Sequence, residues 1–188
     1  TADGSYRRGK TIPLKANADD ALPGTPSIEK VLVVQRAKNE VAMKEGRDVW
    51  WHEVAQAESD ECECAQLDSE AMLYLLYTSG TTGKPKGIVH VHGGYAVGVH
   101  STLKYVFDVK DDDVFWCAAD VGWVTGHSYI VYAPLMLGCT SLIYEGTPDY
   151  PEADRWWKIL AREKVSILYT SPTAIRMHMK FGESWAQK

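Results

Sequence analysis

Tyr77-Thr78-Ser79-Gly80-Thr81-Thr82-Gly83-Lys84-Pro85-Lys86-Gly87 is the stretch from which the rest of the chain can be read. It lies between two apolar segments of strand length, residues 72–77 and 88–92. Glycines let backbone amides approach a ligand closely, and hydroxyl and ammonium groups add donors, so the physics is that of a triphosphate cradle. It is not a Walker A loop, which needs Gly, four residues, then Gly-Lys-Ser/Thr opening directly into a helix. Here two residues separate Gly80 from Gly83, Pro85 follows Lys84, and a strand comes next. The dinucleotide fingerprint G-x-G-x-x-G is also absent. An ordinary surface turn would not carry so long a run of hydroxyl, glycine and lysine.

Working outward, residues 31–35, 114–118, 140–144 and 165–169 read as further strands, the first of them buried on both faces. Residues 50–56, 93–105, 151–164 and 173–180 read as helices, and residues 128–137 as a buried helix stopped by Gly138. Asp111-Asp112-Asp113 reads as a turn between a helix and the next strand rather than a metal site. Strands alternating with helices predict an α/β fold with a mainly parallel sheet flanked by helices.

Composition narrows the function classes. With 188 residues, 45% hydrophobic and 24% charged, the chain is globular rather than disordered. The longest apolar run, residues 129–137, contains Pro134 and is far short of the roughly 20 residues a membrane span needs. No apolar signal core opens the chain, and the first residue is Thr1, not Met. A net charge of −5 speaks against a non-specific nucleic-acid binder. That charge is unevenly spread. Arg7, Arg8, Lys10 and Lys15 face only Asp3 in the first 15 residues, whereas residues 53–70 hold seven acids and no Lys or Arg. The acidic run reads as a solvated connector. Cys62 and Cys64 suggest half a metal site, but no partner pair follows; reduced thiols of a cytoplasmic protein are expected. His90, His92, His127 and His178 share no ligand spacing, so no metal site is expected.

The run from Leu76 to Gly87 closely resembles the phosphate loop of the adenylate-forming superfamily. Further stretches are similar to its AMP-forming acetyl-CoA synthetase (acetate–CoA ligase) branch. They are Thr11-Ile12-Pro13-Leu14-Lys15, Gly93-Gly94-Tyr95 and Lys104-Tyr105-Val106-Phe107, then Ala119-Asp120-Val121-Gly122-Trp123-Val124-Thr125-Gly126-His127-Ser128-Tyr129, and Ile167-Leu168-Tyr169-Thr170-Ser171-Pro172-Thr173-Ala174-Ile175-Arg176. The resemblance covers essentially the whole chain, with its motifs in the family's order.

The resemblance implies activation of acetate by Mg-ATP to an acetyl-adenylate and pyrophosphate, then attack by coenzyme A. Thr78, Ser79, Gly80, Thr81, Thr82, Gly83 and Lys84 match the ATP phosphate loop; Lys86 serves either the phosphates or the loop's own structure. Trp123, Val124 and Thr125 match the acyl pocket, where a bulky aromatic and a β-branched pair leave room for a small acid only. From composition alone Trp123 and Val124 read as core. His127 belongs to the same motif and helps shape the pocket. Arg7 and Lys10 match the basic pair that meets the 3′-phosphate end of coenzyme A. Lys10 stands where Arg is usual, exchanging a planar fork for a point charge, and Arg8 is placed to compensate. A frayed basic terminus is the alternative reading of this cluster. Ser171 matches the small residue lining the pantetheine tunnel.

The family's Thr-x-x-Gln-Thr-Glu motif, whose Glu holds Mg²⁺, does not occur here, nor do the ribose-binding Asp, the hinge residue or the catalytic Lys. The chain therefore reads as part of a large N-terminal AMP-binding domain. Residues 1–52 form its CoA-side segment, 53–70 the acidic connector, and 71–188 the core with phosphate loop and acyl motif. The expected partners are small molecules (ATP, acetate, coenzyme A), with no nucleic acid and no membrane; the sequence specifies no oligomeric state. No catalytic residue is expected within it. The 188 residues alone are expected to give no acetate-dependent ATP–pyrophosphate exchange. Robust exchange in an isotope assay would overturn that expectation.

Overall fold

A computed structural model describes residues 1–78 and 83–187. Ser79, Gly80, Thr81 and Thr82 of the expected phosphate loop lie outside the described residues. The chain divides into two compact units, Thr1–Cys64 with Glu145–Pro151, and Ala65–Tyr144 with Glu152–Lys188.

In the first unit, β1 (Ser5–Arg7) and β2 (Lys10–Ile12) form an antiparallel hairpin. Its turn is Arg8-Gly9, both at positive φ (50° and 74°), the pair of conformations that a type I′ hairpin turn requires. Helix α1 (Leu14–Ala21) follows, then the parallel pair β3 (Val31–Val33) and β4 (Asp48–Trp50), and α2 (Trp51–Ala57). The expected double-sided burial of residues 31–35 does not hold. Val33 is buried, but Leu32 and Val34 are exposed, so only the face of the strand that carries Val33 is covered.

Polar burial holds this unit together. The fully buried Asp3 carboxylate accepts hydrogen bonds from the backbone N–H groups of Gly4 (2.7 Å), Arg36 (2.8 Å), Ala37 (2.9 Å) and Lys38 (2.7 Å). It thereby ties the root of the hairpin to the chain beyond β3. Burial alone would raise its pKa; the bonds from Ala37, Arg36, Gly4 and Lys38 overcome that and hold it below the ordinary carboxylate value. Lys15, 1% exposed, is paired with Asp19 (2.7 Å) and Asp48 (2.8 Å), and Arg47 pairs with the same two acids.

The second unit opens with the antiparallel hairpin β5 (Met72–Thr78) and β6 (Lys86–Val91). The expected α/β fold with parallel strand pairs holds in β3–β4 and β8-β7-β9, and this hairpin is an antiparallel addition to it. The connection between Thr78 and Lys86 is too short for the crossover that parallel neighbours need. Helix α3 (His92–Ser101) continues as a π-helical turn, Thr102–Val106. After the Asp111–Asp113 turn comes β7 (Val114–Cys117), the middle strand of a parallel sheet ordered β8-β7-β9. The outer strands are β8 (Thr140–Ser141) and β9 (Ile167–Tyr169).

The crossovers are helical. Between β7 and β8 lie α4 (Val124–Gly126), a π-helical stretch (His127–Tyr132) and α5 (Ala133–Leu137), capped by Gly138 at φ 72°. Pro134 has no N–H to donate to the residue four back, which accounts for the π geometry just before it. Between β8 and β9 lies α6 (Arg155–Arg162), and α7 (Pro172–Phe181) follows β9. Residues 142–144 and 151–154, expected in a strand and a helix, fall outside both. Alternation along β7 sends Phe115 and Cys117 into one core with Val99, Leu103, Val109 and Ala133, and Trp116 into another with Trp156 and Ile159. Among the described residues no helix is long and apolar enough to cross a membrane.

Asp3→Ala would remove the acceptor of four backbone N–H groups and is expected to cost about 3 kcal/mol in urea unfolding followed by circular dichroism. Because folding depresses the Asp3 pKa, its stabilisation is complete above the unfolded carboxylate range, about pH 4. It is lost as pH falls through the lower folded value. The stability difference between wild type and Asp3→Ala should therefore shrink below about pH 4.

Candidate active site

The β5–β6 hairpin presents the phosphate-loop residues that are described. Thr78 and Lys86 close it as a cross-strand pair, and the next pair inward is Tyr77 with Gly87. A Cβ on Gly87 would meet the Tyr77 ring 3.2 Å away, so glycine here lets the aromatic ring lie across the partner strand. Gly83 has φ 79° with open space around it, a position a side-chain-bearing residue would occupy only with strain. Thr78, Lys84 and Lys86 are exposed, and neither lysine has an ion-pair partner among the described residues.

The acyl-motif residues leave the carboxyl end of β7, the usual location of ligand sites in parallel α/β sheets. The neighbouring strand ends beside it, where the Ala118 N–H donates to the Tyr169 carbonyl at 2.8 Å. A tight turn then reverses the chain: Gly122 N–H donates to Asp120 Oδ1 (2.8 Å), and Trp123 N–H to the Asp120 carbonyl (3.2 Å). Gly126 is buried against this turn. A Cβ there would strike the Asp120 carbonyl oxygen and the Val121 Cα, both backbone atoms with no freedom to yield. Trp123 is the extended residue before α4, and Val124 and Thr125 form that helix's first turn.

The core reading of Trp123 and Val124 fails here: they are 72% and 39% exposed, while Thr125 is half-buried. Two donors from one residue hold the Trp123 carbonyl. The His127 backbone N–H reaches it at 3.1 Å and the ring Nδ1 at 2.9 Å. A carbonyl only accepts, so Nδ1 carries the proton. Burial pushes the Cys117 thiol pKa up, which leaves that residue an apolar filler rather than a nucleophile.

Ser171 follows β9 and is exposed, but its hydroxyl is already committed. It is the N-cap of α7, accepting from Ala174 N–H at 3.2 Å. The sequence reading of Ser171 as simply a small residue missed this second task.

Arg7 and Lys10 lie in the first unit, on the cross-strand pair flanking the Arg8-Gly9 turn, both exposed and without an ion-pair partner among the described residues. They do not belong to a frayed terminus. The Thr1 ammonium donates to the Leu32 carbonyl at 3.0 Å, and the hairpin is anchored by Asp3. Arg8, the cation placed to compensate for Lys10, is engaged within the unit. It donates to both carboxylate oxygens of Asp149 (2.9 and 2.6 Å), and a Cβ on Gly9 would strike the Tyr150 hydroxyl. Nothing local in the sequence signals a partner 141 residues away.

An antiparallel hairpin at the expected phosphate loop and a three-stranded parallel sheet lie in one unit, an α/β arrangement. The chain belongs to the AMP-binding enzyme family, whose profile matches residues 8–188. Over its whole length it is 63% identical to an acetyl-coenzyme A synthetase of Methanothrix soehngenii and 61% identical to one of Rubrobacter xylanophilus. It spans 28% and 29% of the length of those relatives. Among solved structures it matches an acetoacetyl-CoA synthetase from Streptomyces lividans with a TM-score of 0.85. That match is 27% identical and covers all of this chain and 28% of the other.

Gly126→Ala is expected to destabilise the second unit by about 2 kcal/mol or more, because backbone must move to admit the methyl. Gly98→Ala, where a Cβ meets nothing, is the control; it should be neutral or stabilising in the same thermal melt.

Proposed function

We propose that this chain is part of an AMP-forming acetate–CoA ligase, joining acetate, ATP and coenzyme A to give acetyl-CoA, AMP and pyrophosphate through an acetyl-adenylate. The observation that carries this reading is the 63% identity to an acetyl-coenzyme A synthetase along the entire chain. The likeness to an acetoacetyl-CoA synthetase is carried by the fold, which does not choose the acid; that choice falls to the site residues.

The first step must overcome charge, since a carboxylate approaches an α-phosphorus surrounded by anionic oxygens. In this reading Thr78, Ser79, Gly80, Thr81, Thr82, Gly83 and Lys84 surround the β- and γ-phosphates with amides, hydroxyls and an ammonium group. They stabilise pyrophosphate as it departs. Trp123, Val124 and Thr125 close the acid end of the site. Arg7 and Lys10 take the 3′-phosphate of coenzyme A, and Ser171 borders the path of its thiol arm. Among the described residues no group of three or more His, Cys, Asp or Glu side chains is placed to hold a metal. No step is assigned to Mg²⁺ here.

In the full-length protein, AMP release should require acetate and coenzyme A together, read by a coupled assay. Val124→Ala should raise kcat/KM for propionate relative to acetate by roughly tenfold, the scale of one methylene in an apolar pocket. An unchanged ratio would sink the acyl-pocket assignment.

A further inference from the structure

The acyl turn and the phosphate-loop hairpin meet in an aromatic cluster centred on Tyr74 of β5, four residues before Thr78. The Tyr74 ring faces His90 of β6 at 4.6 Å between centroids, Tyr95 of α3 at 5.3 Å and His127 at 5.4 Å. Tyr132 lies at 6.4 Å, nearly parallel to it. The cluster is closed on itself. Tyr95 meets both His90 (5.3 Å) and Tyr132 (5.4 Å) edge-on, and its hydroxyl is 2.8 Å from Ser128 Oγ. His127 and Tyr132 bound the π-helical stretch, a geometry that concentrates at functional sites. His127 is also the residue whose two N–H groups grip the Trp123 carbonyl, directly before Val124 and Thr125.

We propose that Tyr74 is a positioning residue for acid selectivity: its ring, wedged among His90, Tyr95 and Tyr132, fixes His127, and His127 fixes the turn that carries Val124 and Thr125. This rests on the acetate–CoA ligase reading. Tyr74 acts through its ring and not through charge. Burial first, and then the neighbouring hydroxyls of Tyr95 and Tyr132, push its pKa further above the ordinary tyrosine value, so it stays neutral at working pH. Aromatic pairs in such tilted and edge-to-face arrangements add directional preference beyond simple burial. A pocket that separates acids differing by one methylene depends on wall positions fixed to a fraction of an ångström.

The test uses the full-length protein and the ratio of kcat/KM for acetate to that for propionate, at saturating ATP and coenzyme A. Tyr74→Phe keeps the ring and should hold the ratio within about twofold of wild type. Tyr74→Leu should lower it by roughly fivefold or more, on the scale of one methylene's discrimination. His127→Asn preserves a donor toward the Trp123 carbonyl but removes the ring, and should lower the ratio equally. The double variant Tyr74→Leu/His127→Asn should fall no further than either single one, because both cut the same link. Loss of general stability alone would lower both acids in parallel and leave the ratio unmoved. If Tyr74→Leu does not fold, His127→Asn decides the matter by itself. A ratio unchanged in a folded Tyr74→Leu or His127→Asn protein, or a Phe variant as poor as Leu, overturns the positioning role. A wild-type protein that turns over no acetate at all overturns the ligase reading instead.

Discussion

The second unit depends on one constraint: β7 is covered on both faces. Phe115 and Cys117 on one side and Trp116 on the other cannot be exposed without losing roughly 1.5 to 3 kcal/mol for each large side chain. A strand so placed needs helices above and below it, and helical crossovers make its neighbours parallel. Parallel neighbours end on the same edge. That is why the turn after β7 and the start of α7 after β9 emerge side by side, joined by the Ala118–Tyr169 hydrogen bond. The edge on which the proposed acyl residues sit is thus fixed by the packing of a four-residue strand.

The first unit solves the opposite problem. Its strands are three residues long, and β3 buries only the face that carries Val33. Stability there comes from polar groups satisfied in full: a carboxylate receiving backbone N–H groups, and a lysine held between two acids. Such networks tolerate little, since a buried charge deprived of its partner is far costlier than an absent pair. They also hold geometry well. The hairpin bearing Arg7 and Lys10 is fixed at its root by Asp3 and at its tip by Asp149, with neither of the two exposed cations involved in the fixing.

Local pattern carried much of this into the sequence. The strand–loop–strand around Gly83, the apolar run of β7, the stop at Gly138 and the Asp111–Asp113 turn are all set by residues within a few positions of one another. What stayed hidden is of another kind. Asp3 reads as a lone counter-charge in a basic segment, yet it is the anchor of its unit. Arg8 reads as a spare cation, yet Asp149 holds it from across the sequence. Nothing near Gly126 or Gly87 in sequence shows the backbone or ring that presses on each. Trp123 reads as core by composition, but a turn at the sheet edge leaves it outside. In each case a long-range partner decides the role, and no short-range periodicity encodes one.

Lys15 closes the Ile-Pro-Leu-Lys stretch and stands a few residues from Arg7 and Lys10, so on sequence alone it could pass for a third cation of the same anion site. Its burial separates it from them. With 1% of its surface exposed and its ammonium shared between Asp19 and Asp48, it holds its proton more firmly than a free lysine and so offers no lone pair. The amine is therefore closed to electrophiles in the folded chain, a useful immunity in a protein proposed to make a reactive acyl phosphate anhydride. It becomes reachable only when the unit opens, so the exposure of this one lysine follows the state of the fold.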